Sequence, residues 1–195
     1  MKTAILILAA GASSRMGRVK QLLPYQHTHL LGWTIEQALN TSTKVFCVLG
    51  ANATAIEKEI PTEKITLLYN PDFNNGLSTS IVTGVTYLYT KEFHNVLILL
   101  ADQPHISSAY LNQMIQTGEE NPQHIIASNY GHKAGVPALF PKKYYRNLLT
   151  LTGDKGAKLF LEQHASNIIT MPEINLIDID TPQDYDTAIG SIYNR

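Results

Sequence analysis

Short apolar runs rich in β-branched residues recur along the chain at 4–8, 45–49, 65–69, 96–100, 125–127, 138–140 and 168–171. Their length suits buried strands better than helices. Between most of them, apolar residues return every three or four positions, the period of a helix with one buried face. These segments predict helices at 34–40, 53–60, 78–89, 109–117, 142–149, 155–164 and 183–193. Pro182 stands just ahead of the last, where a missing amide has no intrahelical partner to lose. Continuous apolar strands alternating with helices predict a mainly parallel sheet covered on both faces, a three-layer α/β/α architecture. The turn-rich stretch 129–135 breaks the alternation, so the sheet is expected to become mixed around 125–140. No repeat, low-complexity tract or linker divides the chain, and one domain spanning 1–195 is expected.

With 195 residues, 44% of them hydrophobic, the chain can bury a core of its own. A formal net charge of −1 gives no global attraction for nucleic acid or an anionic membrane, so neither is expected as a partner. Any anion must be held by local geometry. The single cysteine, Cys47, lies in the apolar run Val45-Phe46-Cys47-Val48-Leu49. That excludes an intrachain disulfide and a zinc site of several thiolates, and predicts a buried core thiol. No stretch approaches the roughly 20 apolar residues that span a bilayer. Met1-Lys2 and the apolar residues behind it look superficially like a secretion signal, but the run is short and passes straight into Gly11-Ala12-Ser13-Ser14-Arg15. It reads instead as a first strand feeding a loop, and a cytoplasmic protein is expected.

In open parallel sheets, ligands bind where the carboxyl ends of the strands meet loops and helix N-termini. The loop after the first run, Leu8-Ala9-Ala10-Gly11-Ala12-Ser13-Ser14-Arg15-Met16-Gly17-Arg18-Val19-Lys20, is of that kind. Small residues let backbone amides close on phosphate oxygens, and Arg15 and Lys20 add two cations. It matches neither the Walker pattern nor the dinucleotide fingerprint. More small residues occur than an exposed turn needs, which favours phosphate binding over a plain turn with solvated charges. Asp102, in Leu100-Ala101-Asp102-Gln103-Pro104, has two readings: a Mg²⁺ ligand at a strand tip, or a cap before a helix starting near Ser107. Asp178 and Asp180 point to the same side if 176–180 is extended, and can supply a second ligand. Asp180-Thr181-Pro182 equally reads as a helix start capped by Asp180. In Gly153-Asp154-Lys155-Gly156-Ala157-Lys158, a capped surface helix is preferred over contact with an anionic substrate. No histidine shows metal-ligand spacing, and only His132, ahead of Gly135-Val136-Pro137, stands in a suggestive place.

Together these motifs resemble the MobA-like nucleotidyltransferase superfamily, and within it the molybdenum cofactor cytidylyltransferases. The family pattern Leu-Ala-Ala-Gly-x-Ser-x-Arg-Met-Gly-x-x-Lys is met at 8–20, followed by Leu22-Leu23-Pro24. Asn70-Pro71, Gly76-Leu77-Ser78-Thr79-Ser80 and Gly84 resemble the base-recognition segment, and Leu100-Ala101-Asp102-Gln103-Pro104 the metal-binding loop. Gly135-Val136-Pro137, Thr152-Gly153-Asp154-Lys155-Gly156-Ala157-Lys158 and Asp178-Ile179-Asp180-Thr181-Pro182 complete the series, so the likeness covers nearly the whole chain in order. Three departures stand out. Tyr25-Gln26-His27-Thr28-His29 replaces a glycine-containing turn, Val136 replaces a polar residue, and Lys158 replaces a frequent arginine.

The resemblance implies a Rossmann-like fold of the nucleotide-diphospho-sugar transferase type. It implies that Leu8, Ala9, Ala10, Gly11, Ser13, Ser80 and Gly84 belong to the nucleotide site, and that Arg15 and Lys20 bind the triphosphate. Asp102 and Asp180 become the implied ligands for Mg²⁺ or Mn²⁺, with Arg15, Lys20 and Asp102 as the catalytic set. Gly135, Pro137, Asp154 and Lys155 fall on the acceptor side. The double alanine at 9 and 10 favours CTP over GTP as donor, and the implied acceptor is a pterin phosphate, molybdopterin. Three alternatives stay open: guanylyl transfer from GTP, a sugar-phosphate acceptor, or a noncatalytic protein delivering cofactor to a molybdenum hydroxylase such as a xanthine dehydrogenase. A monomer or weak homodimer is expected.

Overall fold

The computed structural model describes residues 1–131, 133–174 and 176–193. The chain opens with β1 (Thr3–Leu8), then a long loop, a hairpin of β2 (Pro24–Tyr25) and β3 (Thr28–His29), and α1 (Leu30–Leu39). β4 (Lys44–Leu49), α2 (Ala53–Glu57), β5 (Thr66–Tyr69), α3 (Leu77–Tyr89), β6 (Asn95–Leu100) and α4 (Ser108–Glu120) follow. The remainder is β7 (Ile125–Asn129), β8 (Ala134–Pro141), α5 (Tyr145–Leu148), α6 (Lys158–Gln163), β9 (Ile168–Thr170) and α7 (Pro182–Tyr193).

Seven strands form one sheet in the order β5-β4-β1-β6-β8-β7-β9. All run parallel except β8, which pairs antiparallel with both β6 and β7. The expected change to a mixed sheet therefore falls at 125–141, and the Rossmann-like α/β class is the observed one. Every residue of β1 is buried, and alternation sends its side chains to opposite faces. Ile5 and Ile7 pack with α1 and α4, while Leu6 and Leu8 pack with α3, α5 and α6. Cys47 sits in the first of these layers, where burial pushes its thiol up to about 12.

Element boundaries depart from the sequence pattern where caps and turns intervene. α1 begins at Leu30 rather than 34, because a ring nitrogen of His29 accepts the Gly32 N–H at 2.9 Å and caps the helix. The predicted helix at 155–164 shrinks to α6, since Gly153 and Gly156 take left-handed φ values of 76° and 53°. The hairpin β2–β3 was not visible in the pattern. Gln26, at φ 54°, takes the left-handed turn position there.

Candidate active site

The loop after β1 is held open by a buried side chain that motif reading passed over. Gln21, 3% exposed, donates to the carbonyls of Ala9 at 3.0 Å and Gly11 at 2.9 Å. Its own carbonyl accepts the Ser13 hydroxyl at 3.1 Å, and Ser13 Oγ accepts the Lys20 backbone N–H at 3.1 Å. Both ends of the loop are thereby tied to one amide. A lone glutamine between Lys20 and the apolar Leu22-Leu23 was the only signal for it.

Lys20 heads a short 3-10 turn, and its ammonium reaches Asp102 Oδ2 at 2.6 Å and Asp180 Oδ1 at 3.0 Å. Arg15 takes the other oxygen of Asp180 at 3.0 Å. Residues 82 and 160 positions away along the chain thus meet at one nitrogen. Burial alone depresses the Lys20 pKa, but attraction to Asp102 and hydrogen bonds to both carboxylates outweigh it, so the net shift is upward from 10.5. A raised lysine keeps its stabilising charge below that value and loses it only as pH climbs through the folded value, so Lys20 is cationic at neutral pH.

Neither aspartate is used as a helix cap. Ser107 caps α4 by accepting from the Tyr110 N–H. At α7, Asp184 accepts from the backbone N–H groups of Asp180 and Thr181 and from the Thr181 hydroxyl, which in turn takes the Asp184 N–H at 3.3 Å. That reciprocal pair is a capping box, and it leaves the Asp180 carboxylate to the cations. Asp102 Oδ1 is buried and has no hydrogen-bond partner. An orphaned carboxylate oxygen beside a second carboxylate suits a hard cation of magnesium type, which binds through one or two carboxylates and completes its shell with phosphates and water. Among the described residues, no group of three or more His, Cys, Asp or Glu side chains forms a metal cage.

The stretch 176–180 forms no strand, and Asp178 and Asp180 take different partners. Between them Ile179 is fully buried, and its N–H donates to the Asp102 carbonyl at 3.0 Å. Asp178 instead accepts from Gln103 Nε2 at 2.7 Å, and the same nitrogen lies 2.7 Å from the Tyr130 hydroxyl. Burial raises the Asp178 pKa against the Gln103 hydrogen bond, and Asp102 and Asp180 add to the rise.

Two cavities open side by side at this end of the sheet. The first, about 420 Å³, is lined by residues 10–15, Lys20 and Asp180 together with Phe73, Gly76, Ser80 and Asp154. The second, about 370 Å³, is mostly apolar, with Leu8, Ile81, Leu100 and Leu161 as walls and Tyr130, Lys155, Lys158 and Asp178 as polar groups. Leu77 borders both.

These positions sort the residues that sequence reading had grouped. Ala10, Gly11, Ser13, Arg15, Lys20, Ser80 and Asp180 all face the first cavity. Asn70 donates to the Ser80 hydroxyl at 3.0 Å and fixes it there. Leu8 faces the second cavity, while Ala9 is buried, its N–H on the Val48 carbonyl at 2.9 Å. Gly84 lines neither: it lies over Leu6, so its role is close packing of α3 on β1. Gly135 and Lys155 face the second cavity, but Asp154 faces the first, because the chain at 153–156 passes between the two. The Gly153 carbonyl accepts the Ser78 N–H at 3.1 Å, and a β-carbon on Gly76, at φ 102°, would overlap Gly153 and Asp154. Pro137 is buried, its carbonyl taking the Ser128 hydroxyl at 2.8 Å. His132 lies outside the described residues. Gln21 was missed, as were Tyr130 and Lys133, which both line the second cavity, since a lone polar residue carries no period.

A parallel-sheet cleft with a small-residue loop and two cations set against two carboxylates, one after β6 and one before α7, is the site of a nucleotidyltransferase. The chain belongs to the family of the MobA-like NTP transferase domain, whose model matches residues 5–168. It is 30% identical over 193 residues to a nicotine blue oxidoreductase of Paenarthrobacter nicotinovorans, covering 94% of this chain and 91% of that one. It is 28% identical over 187 residues to a molybdenum cofactor cytidylyltransferase of Escherichia coli, covering 94% and 93%. A nucleotidyl transferase from Methanothermobacter thermautotroptrophicus shares the fold with a TM-score of 0.83 at 19% identity, covering 100% of this chain and 99% of that one. No helix among the described residues is long and apolar enough to cross a membrane.

Proposed function

We propose that the chain transfers CMP from CTP to the phosphate of a pterin acceptor, molybdopterin, releasing pyrophosphate, in the cytoplasm and with Mg²⁺ held by Asp102 and Asp180. The carrying observation is the contact of Lys20, which lines the first cavity, with both aspartates. The likeness to a molybdenum cofactor cytidylyltransferase and the double alanine at 9 and 10 support the donor and acceptor.

An oxygen of the acceptor phosphate attacks the α-phosphorus of CTP. A new P–O bond forms as the bond from the α-phosphorus to the bridging oxygen breaks, and pyrophosphate leaves with that oxygen and its electron pair. Positioning and charge neutralisation carry this chemistry, with little covalent help from protein. Amides of residues 10–14 cradle the phosphates, and Arg15 and Lys20 exchange their carboxylates for phosphate oxygens, taking up charge on the departing pyrophosphate. When bound, Mg²⁺ supplies further neutralisation of the triphosphate oxygens. The apolar second cavity takes the body of the acceptor, and Lys155 and Lys158 attract its phosphate.

The test follows pyrophosphate release from CTP with molybdopterin as acceptor. Asp102→Ala is expected to lower turnover roughly a hundredfold or more. Undiminished turnover, or equal turnover with GTP, would overturn the catalytic set or the donor respectively. The relative named as an oxidoreductase favours a second reading, a redox reaction at the same cleft. Oxidation of added NADPH without pyrophosphate release would support it. Paired carboxylates on two cations favour phosphoryl chemistry instead.

A further inference from the structure

Lys20 stands between Asp102 and Asp180, the two carboxylates proposed to share a divalent ion. Its ammonium is 2.6 Å from one carboxylate and 3.0 Å from the other, and Arg15 holds the remaining oxygen of Asp180 at 3.0 Å. Two carboxylates therefore meet two cations, so the Asp102–Asp180 pair already has its charge countered by protein groups. The Lys20 and Asp102 side chains are only 16% and 18% exposed, so water and salt screen this pair weakly.

A divalent ion arriving alone must expel the ammonium and leave two cations crowded beside itself, a repulsion that low-dielectric surroundings magnify. A triphosphate arriving with the ion changes the balance. Its oxygens are charged acceptors that take both Lys20 and Arg15, and it brings more negative charge than the ion brings positive. The exchange is local, because the Lys20 backbone stays pinned to Ser13 Oγ at 3.1 Å and only the side chain swings.

From this juxtaposition we propose that Lys20 is the resident cation of the Asp102–Asp180 pair, so that the chain takes up a divalent ion together with a triphosphate and not before it. Ion and nucleotide then strengthen each other's binding by the same factor, as linkage requires. The inference rests on the carboxylate pair as metal ligands, and not on the identity of the acceptor.

The experiment titrates the intact chain into Mn²⁺ and follows the EPR signal of the free ion, without nucleotide and with the nonhydrolysable α,β-methylene analogue of CTP. Wild-type affinity for Mn²⁺ is expected to rise with the analogue by a factor on the order of 5–150. Lys20→Met removes the ammonium and keeps the stem, and its nucleotide-free Mn²⁺ binding is expected to be about tenfold tighter than wild type. Adding Asp102→Asn to that variant is expected to abolish the gain. Wild type that binds Mn²⁺ as tightly without the analogue as with it overturns the proposal, and needs no variant to fold. A gain in Lys20→Met that survives Asp102→Asn overturns it too. Absence of pyrophosphate release with every acceptor, alongside a Mn²⁺ gain in Lys20→Met, leaves this inference standing and removes the proposed reaction.

Discussion

Gly84 on α3 lies directly over Leu6 of β1, and a methyl group there would run into the leucine side chain. Gly84→Ala is therefore expected to cost about 1–3 kcal/mol through overpacking, read as a lower urea midpoint, while the folded fraction keeps its nucleotide affinity. Loss of affinity without loss of stability would return Gly84 to the nucleotide site. Gln21 gives the opposite expectation. Its amide ties Ala9 and Gly11 to Ser13, so Gln21→Ala should slacken the loop and weaken CTP binding, seen by calorimetry as about 1–3 kcal/mol for carbonyls left without donors. Unchanged affinity would mean that the loop keeps its shape unaided. At this scale the motif residues Arg15, Lys20, Asp102 and Asp180 were legible, because charge beside small residues is conspicuous in a sequence. Gln21 and Tyr130 were not, because what marks them is burial, and burial of a single polar side chain leaves no pattern.

At the scale of elements, caps decide which charges are free. Thr181 and Asp184 close the start of α7 on each other, and Asp180 is left to face Lys20. Thr181→Ala should cost about 1 kcal/mol of stability, measured by thermal or urea unfolding. The hydrogen bonds from Thr181 and then Asp180 hold the Asp184 carboxyl below its ordinary 3.8. A depressed carboxylate stabilises the fold above its ordinary value and loses that contribution as pH falls through the folded one. The penalty of Thr181→Ala should accordingly be full at neutral pH and shrink on acidification below 3.8. A penalty independent of pH would show that the carboxylate takes no part in the cap. The capping alternatives for Asp102 and Asp180 stayed open in the sequence because Ser107 and Thr181, the residues that displaced them, belong to the same set of preferred cap formers.

For the whole molecule, the first cavity accounts for the main expected linkage. CTP with Mg²⁺ at 100 times its Kd should add about 2.7 kcal/mol to the stability of the native state, and a thermal-shift panel of nucleoside triphosphates reads the preference directly. Equal shifts for CTP and GTP would remove the donor selectivity inferred from Ala9 and Ala10. The sequence by itself determined the sheet, its two covered faces, the change to a mixed sheet around 125–140 and the small-residue loop that faces the first cavity. Those features follow from local hydrophobic periods and from small residues adjoining strands, which do not depend on distant contacts. Only the tertiary structure decided that Asp180 and not Asp178 shares Lys20, that Asp154 and Lys155 part into different cavities, and that Gly84 serves packing. Each of these depends on where an irregular backbone turns a side chain, at 176–180, at 153–156 and where α3 crosses β1. No repeating period along the chain governs that direction; packing against remote residues such as Gln103, Gly76 and Leu6 does.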